Sequence, residues 1–383
     1  MDFVVTLFSY VLPFLAMIVV LVTVHEWGHY YAARTLGIAV TQFSIGMGPV
    51  LWSRRDRNGC EWRVAAFPVG GFVRFLGDRN ASSVAAEDGI AGAGSAVPDA
   101  ERRRYFALRN PWDRAFVIAA GPLVNLLLGL VVISGLYVAN GRTFIPPVVE
   151  QTVAGAPAEL AGILPGDVIL SVDGQSVSSF SEVYSLVAMH PKAPLDLVVN
   201  RPADGGNERL SFTVDTGTTE IKAFGVGQTV GWIGISAPPP QVLQMDALSA
   251  ISTGIDDVRM LTHGMLVGIY QIATGQRPLS DMGGPVRMAE MSGHAAQAGW
   301  MTFAFLLAAI SINLGVMNLI PLPILDGGHL VLCAVEAIRR RPLNQKALYH
   351  LQNAGAILLI ALMVGVTAGD VASLVTRTVL SGG

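Results

Sequence analysis

The sequence is poor in charge. Asp, Glu, Lys and Arg make up 14% of its 383 residues, against 52% hydrophobic residues. A soluble domain carries about a quarter charged residues, so much of this chain is suited to a solvent other than water. Cysteine is nearly absent. Cys60 and Cys333 are the only two, too few for a disulfide framework or a Cys-rich zinc site, and both are expected as reduced, buried thiols. There is no basic excess either. The formal net charge is -3, and no basic face interleaved with aromatics appears, so no nucleic-acid partner is expected. Only Met1 and Asp2 precede the first apolar run. A cleaved signal peptide needs a basic leader, so this run is expected to remain as a span.

What the chain does have is long apolar stretches. A bilayer-crossing helix needs about 20 such residues. The pattern predicts transmembrane helices over 1–30, 114–140, 299–325 and 351–372. Lys and Arg then orient them. Eleven arginines lie between His29 and Asp113, and Arg339, Arg340, Arg341 and Lys346 follow the third span. Segments 31–113 and 326–350 are therefore expected on the cytoplasmic side. Within 31–113, residues 61–75 read as a hairpin around Phe67-Pro68-Val69-Gly70-Gly71, and the Ala/Gly/Ser-rich stretch 80–100 reads as a flexible loop. Residues 147–236 alternate strand-like runs with turns, as in a small α+β module, and 238–290 reads as an amphipathic helical region at the outer interface. The predicted fold class is thus an α-helical membrane protein of about four transmembrane helices, with a membrane-associated β-hairpin and one inserted α+β domain.

The chemistry concentrates in His25-Glu26-Trp27-Gly28-His29. Two His four residues apart share one helix face, so both imidazoles can bind one metal, with Glu26 beside them as general base. Zinc suits such ligands. The motif closes an uncharged run, and an ionisable cluster in that position marks function by default. A catalytic zinc needs a third protein ligand. Asp326, in Asn318-Leu319-Ile320-Pro321-Leu322-Pro323-Ile324-Leu325-Asp326-Gly327-Gly328, is the first acid after the 35 residues Met291 to Leu325. Spans one and three cross in the same direction, so their C-terminal ends reach one leaflet and can bring His25, His29 and Asp326 together. His329 is the rival ligand, and an Asp-Gly turn after a Pro-rich break is the plainer account of Asp326.

These residues resemble the site-2 protease family of intramembrane zinc metalloproteases (peptidase M50 type, the bacterial RseP-like branch). The resemblance rests on His25-Glu26-x-x-His29, on Gly121-Pro122-Leu123-Val124-Asn125, and on Asn318-x-x-Pro321-x-Pro323-x-Leu325-Asp326-Gly327, and it extends over nearly the whole chain. It implies one Zn²⁺ and cleavage of single-pass membrane proteins already trimmed by a site-1 protease, anti-sigma factors and signal-peptide remnants among them. It implies a bacterial inner-membrane location, with the active site near the cytoplasmic side. It makes the 147–236 module a periplasmic PDZ-like domain whose groove could take a peptide C-terminus, with Gly231-Trp232-Ile233-Gly234-Ile235 as its carboxylate-loop strand. The family's better-known members carry two such modules, and this chain has room for one. Gly70, Gly71, Phe72 and Val73 then become a strand that pairs with substrate. Asn318, Pro321 and Pro323 become residues that hold substrate backbone or the oxyanion; Asn125 and Asn313 are candidates for the same role, with a polar helix–helix contact as their plainer account. The alternative reading is a membrane-anchored PDZ scaffold whose metal site is vestigial.

Overall fold

The computed structural model describes residues 5, 7–77, 98–203, 206–223, 226–275, 283–341, 343 and 345–381. The chain divides into two compact units, one made of 1–136 with 247–383 and the other of 137–246. Nearly all of the predicted loop 80–100 lies outside the described residues.

The first unit is helical. A π-helical turn, Leu7–Val11, leads into α1 (Leu12–Thr35). It is followed by α2 (Pro111–Asn140), α3 (Ala247–Ala273), α4 (Pro285–Ala298), α5 (Trp300–Leu319), α6 (Asp326–Arg339) and α7 (Gln345–Ser381). Four stretches, Phe8–Thr35, Pro111–Asn140, Trp300–Leu319 and Leu348–Asp370, are long and apolar enough to cross a membrane. Long apolar helices satisfy nearly all of their own backbone, which is why composition alone finds them.

The third span differs from its sequence-based bounds. The helix stops at Leu319 rather than running on to 325, and Asp326 opens the next helix instead of closing this one. Pro321 and Pro323 are the cause. Each removes a backbone donor and pushes its predecessor out of the α region, so Ile320 is already extended (φ -65°, ψ 139°). The predicted loop 326–350 is consequently mostly helix. Gly327 and Gly328 let the turn fold tightly onto the start of α6. A Cβ at Gly327 would strike the carbonyls of Leu319 and Ile320, and one at Gly328 the carbonyl of Leu322.

The β element is larger than expected. Residues 61–75 do not form a hairpin on themselves. Glu61–Phe75 (β2) pairs with Val40–Arg55 (β1), a strand the sequence reading left within a loop. Both strands bend. Residues 42–45 are flanked by 61–64 on one side and by 71–74 on the other, while 50–55 pairs with 61–65. Asp56 closes the turn by accepting from the N–H of Asn58 (2.8 Å) and Cys60 (2.9 Å) and from the indole of Trp62 (3.3 Å). Phe43, Val73, Cys60 and Phe106 belong to one buried cluster with Ala32 and Ala33 of α1, which fixes the sheet against that helix.

Cys60 and Cys333 are both free and buried, as composition suggested. Burial, and next the Asp56 carboxylate, pushes the Cys60 thiol up to about 11. The thiolate is the reactive form. Maleimide at neutral pH is therefore expected to spare Cys60 in the folded protein and to modify it after denaturation. Prompt labelling of the folded protein would contradict this burial.

The second unit is built on a four-stranded sheet in the order Gln175–Ser176, Val168–Val172, Pro194–Ala203, Gly206–Asp215. Alternation explains the third strand. Leu195, Leu197 and Val199 are buried on one face beside Ile169, Val172, Val214 and Ile233. Asp173 (φ 49°) and Gly174 (φ 75°) make the tight turn after the second strand, both in the left-handed region that Asp and Gly tolerate. A helix, Phe180–Ala188, lies beside Gly231 to Ile235, and the two line a small cleft. Arg201 grips the buried Asp167 with two 2.8 Å bonds.

Candidate metal centre

The helical repeat places His25 and His29 on one face of α1, and α2 crosses that face at small residues. Gly28 meets the backbone at Ala120 and Gly121, where any Cβ would clash. Gly121 faces the metal side in turn, because a Cβ there would strike the rings of His29 and His25. Small residues are what allow membrane helices this close an approach.

Asp326 reaches the same point from α6. Its Oδ2 lies 3.1 Å from His25 Nε2 and 3.5 Å from His29 Nε2, and the two nitrogens are 3.2 Å apart. The three side chains are mostly buried, at 10%, 12% and 20% exposed. Among the described residues they form the one group of His, Cys, Asp and Glu ligands that could hold a metal ion. Ligand bonds of about 2.0–2.1 Å in a tetrahedral arrangement put donor atoms roughly 3.3 Å apart, so zinc fits this spacing. Two imidazoles and one carboxylate are also the usual complement of a catalytic zinc, with the fourth position left for water. His329, the rival ligand, is buried nearby but outside this group.

Second partners orient the rings. His29 donates from Nδ1 to the carbonyl of Val117 (2.9 Å), which leaves Nε2 free to ligate. Asn125, one turn beyond Pro122 in α2, is fully buried with its amide 3.3 Å from His25 Nδ1. Its Oδ1 is buried and unpartnered. Turning the amide presents Oδ1 to Nδ1–H and again frees Nε2. Ser311 of α5 fixes this stretch by donating to the Asn125 carbonyl (2.8 Å). Asn125 thus sits behind a ligand rather than toward substrate. A polar helix–helix contact is the plainer expectation for Asn125, and its partner, 100 residues away, is visible only in the structure. Asn125→Ala is expected to weaken zinc retention about 10–100-fold against a competing chelator. Unchanged retention would remove Asn125 from the site.

Glu26 lies beside the cluster, and its carboxylate accepts a hydrogen bond from the backbone of Val73. Gly71 is close as well: a Cβ there would come within 3.2 Å of Glu26 Cγ. Of the four predicted strand residues, Val73 therefore bonds the general-base candidate and Gly71 leaves room beside it. Gly70 and Phe72 lie between and beside them in β2, half-buried. Asn318 is half-buried on the last turn of α5, whereas Asn313 is exposed. Pro321 is exposed and Pro323 half-buried in the turn ahead of Asp326.

Residues 13–362 match peptidase family M50. The chain belongs to that family. Similar proteins include "Putative zinc metalloprotease Atu1380" of Agrobacterium fabrum, 35% identical over 371 residues that span 96% of this chain and 97% of that protein. Metalloprotease MmpA of Caulobacter vibrioides is 35% identical over 364 residues, 90% of this chain and 91% of its own. As an M50 member with four apolar spans, the chain is a multi-pass membrane zinc metalloprotease.

Proposed function

We propose that this M50 peptidase cleaves single-pass membrane proteins within or near their transmembrane segments, with His25, His29 and Asp326 holding the zinc and Glu26 as general base and acid. The observation that carries this reading is the position of Glu26, which is adjacent in sequence to one ligand and bonded to the backbone of a β-strand. Bound zinc supplies a lowered water pKa and a polarised peptide carbonyl. Glu26 takes the proton of the attacking water and delivers it to the departing amine.

Substrate geometry follows from the sheet. Among the described residues, 71–75 has strand partners on one side only. Its other side faces Glu26. A substrate helix pairs all its backbone internally, so it must unwind before cleavage. Adding itself to the 71–75 edge as an extended strand satisfies the freed N–H and C=O groups and lays a carbonyl by Glu26. Asn318, Pro321 and Pro323 shape the opposite wall, and Asn313 contributes through its exposed face.

The Arg-rich segments favour a cytoplasmic metal centre in a bacterial inner membrane and a periplasmic 137–246 unit. That unit reads as a single PDZ-like domain. Its cleft between Phe180–Ala188 and Gly231 to Ile235 has the helix-beside-strand form that accepts a peptide C-terminus. Anti-sigma factors and signal-peptide remnants, trimmed beforehand by a site-1 protease, are the substrate classes in view. The test is reconstitution in liposomes with a single-pass substrate. A cut mapped inside or beside the substrate's membrane segment, lost with a zinc chelator and restored by Zn²⁺, is the expected result. Cleavage confined to soluble loops would refute the intramembrane assignment.

A further inference from the structure

A second feature of the helical unit has no part in this chemistry. A cavity of about 590 Å³ lies between the segment leading into α2, the start of α2 and the C-terminal part of α6. Arg102, Arg109, Arg114, Arg340 and Arg341 line it, with Glu336 as the one carboxylate in its wall among the described residues. Glu336 is engaged by Arg114 and by the Leu343 N–H (3.0 Å), and Arg109 reaches Asp113 just outside the wall (3.2 Å). Setting Arg102 aside, four guanidinium groups against those two acids leave two positive charges in excess. Arg340 and Arg341 are exposed in the wall, where their guanidinium groups can meet an acceptor.

The cavity's position says what kind of acceptor. Pro111 and Leu348, both in its wall, are the first residues of the second and fourth candidate spans. The cavity therefore opens where two helices enter hydrocarbon. Trp112, also in the wall, is 73% exposed, and Leu332 and Leu348 add apolar surface beside it in the lining. A soluble phosphate gains nothing from that apolar rim. A lipid does, because its acyl chains cover the rim while its headgroup takes the charge.

We propose that this cavity binds the phosphate headgroup of an anionic phospholipid. Guanidinium forks match phosphate oxygens two at a time. A basic pocket at the ends of membrane helices with an interfacial Trp is the expected form of such a site. The bound lipid ties α2 to the far end of the same helix that begins at Asp326.

The experiment uses the full chain in phosphatidylcholine nanodiscs, titrated with short-chain phosphatidylglycerol and followed by native mass spectrometry. The double variant Arg340→Asn/Arg341→Gln removes two exposed charges, and Asn suits the left-handed backbone at position 340 (φ 54°). The control, Arg54→Gln/Arg55→Gln, removes equal charge from the exposed end of β1. Saturable binding of one phosphatidylglycerol, weakened roughly tenfold or more in the first variant and less than about twofold in the control, is expected. Equal weakening in both would reduce the effect to diffuse charge and overturn the site. Glycerol 3-phosphate competing as tightly as the lipid would overturn the lipid assignment. So would displacement by an oligoglutamate peptide at matching affinity.

Discussion

Glu26→Gln is expected to lower peptide hydrolysis on the order of a thousandfold while zinc content stays at the wild-type level. The carboxamide keeps the size of the side chain and can still accept from the Val73 backbone. It cannot take a proton from water, and positioned acid–base groups contribute about 10²–10⁴-fold. Glu26 is outside the cluster of candidate ligands, so metal binding is not at stake. Turnover and zinc stoichiometry measured on one preparation separate these effects. Full activity in the variant would strip Glu26 of its role.

Asp326→Ala is expected to lose both activity and metal, with zinc falling from about one per chain toward zero on dialysis. The carboxylate supplies the donor oxygen closest to both imidazoles. The loss is functional rather than structural. Asp326 is the first residue of α6, and removing an acid from a helix start costs only about 0.3–1 kcal/mol. His329→Ala, by contrast, should retain zinc, because His329 stands outside the ligand group. If zinc binding survives Asp326→Ala and fails in His329→Ala, the assignment of the third ligand is wrong.

The two proposed sites on α6 make distinct demands. Its first residue serves the metal, and the two residues after its C-terminal end, Arg340 and Arg341, serve the cavity. Loss of lipid binding with zinc content intact would show that one helix carries both separately.

Much of the centre was readable in the chain. The four-residue spacing of His25 and His29 fixes a shared helix face wherever a helix forms, and the uncharged run before them ensures that one does. The β element was only half readable. Val40–Arg55 is masked in the sequence because Gly46, Gly48 and Pro49 interrupt its apolar pattern and carry turn signals. The end of the third span was misjudged by six residues, since hydropathy does not register what Pro321 and Pro323 do to a backbone.

The sequence by itself determined the four membrane spans, the pair of imidazoles with Glu26 between them, and zinc as their metal, because each depends on local composition or local spacing. The tertiary structure alone decided that Asp326 arrives as the start of a new helix, that Asn125 supports His25, that Val73 touches Glu26, and that five arginines converge on one cavity. Those are contacts between segments tens to hundreds of residues apart. They exist only once helices have packed at their small residues, and no periodicity along the chain encodes them.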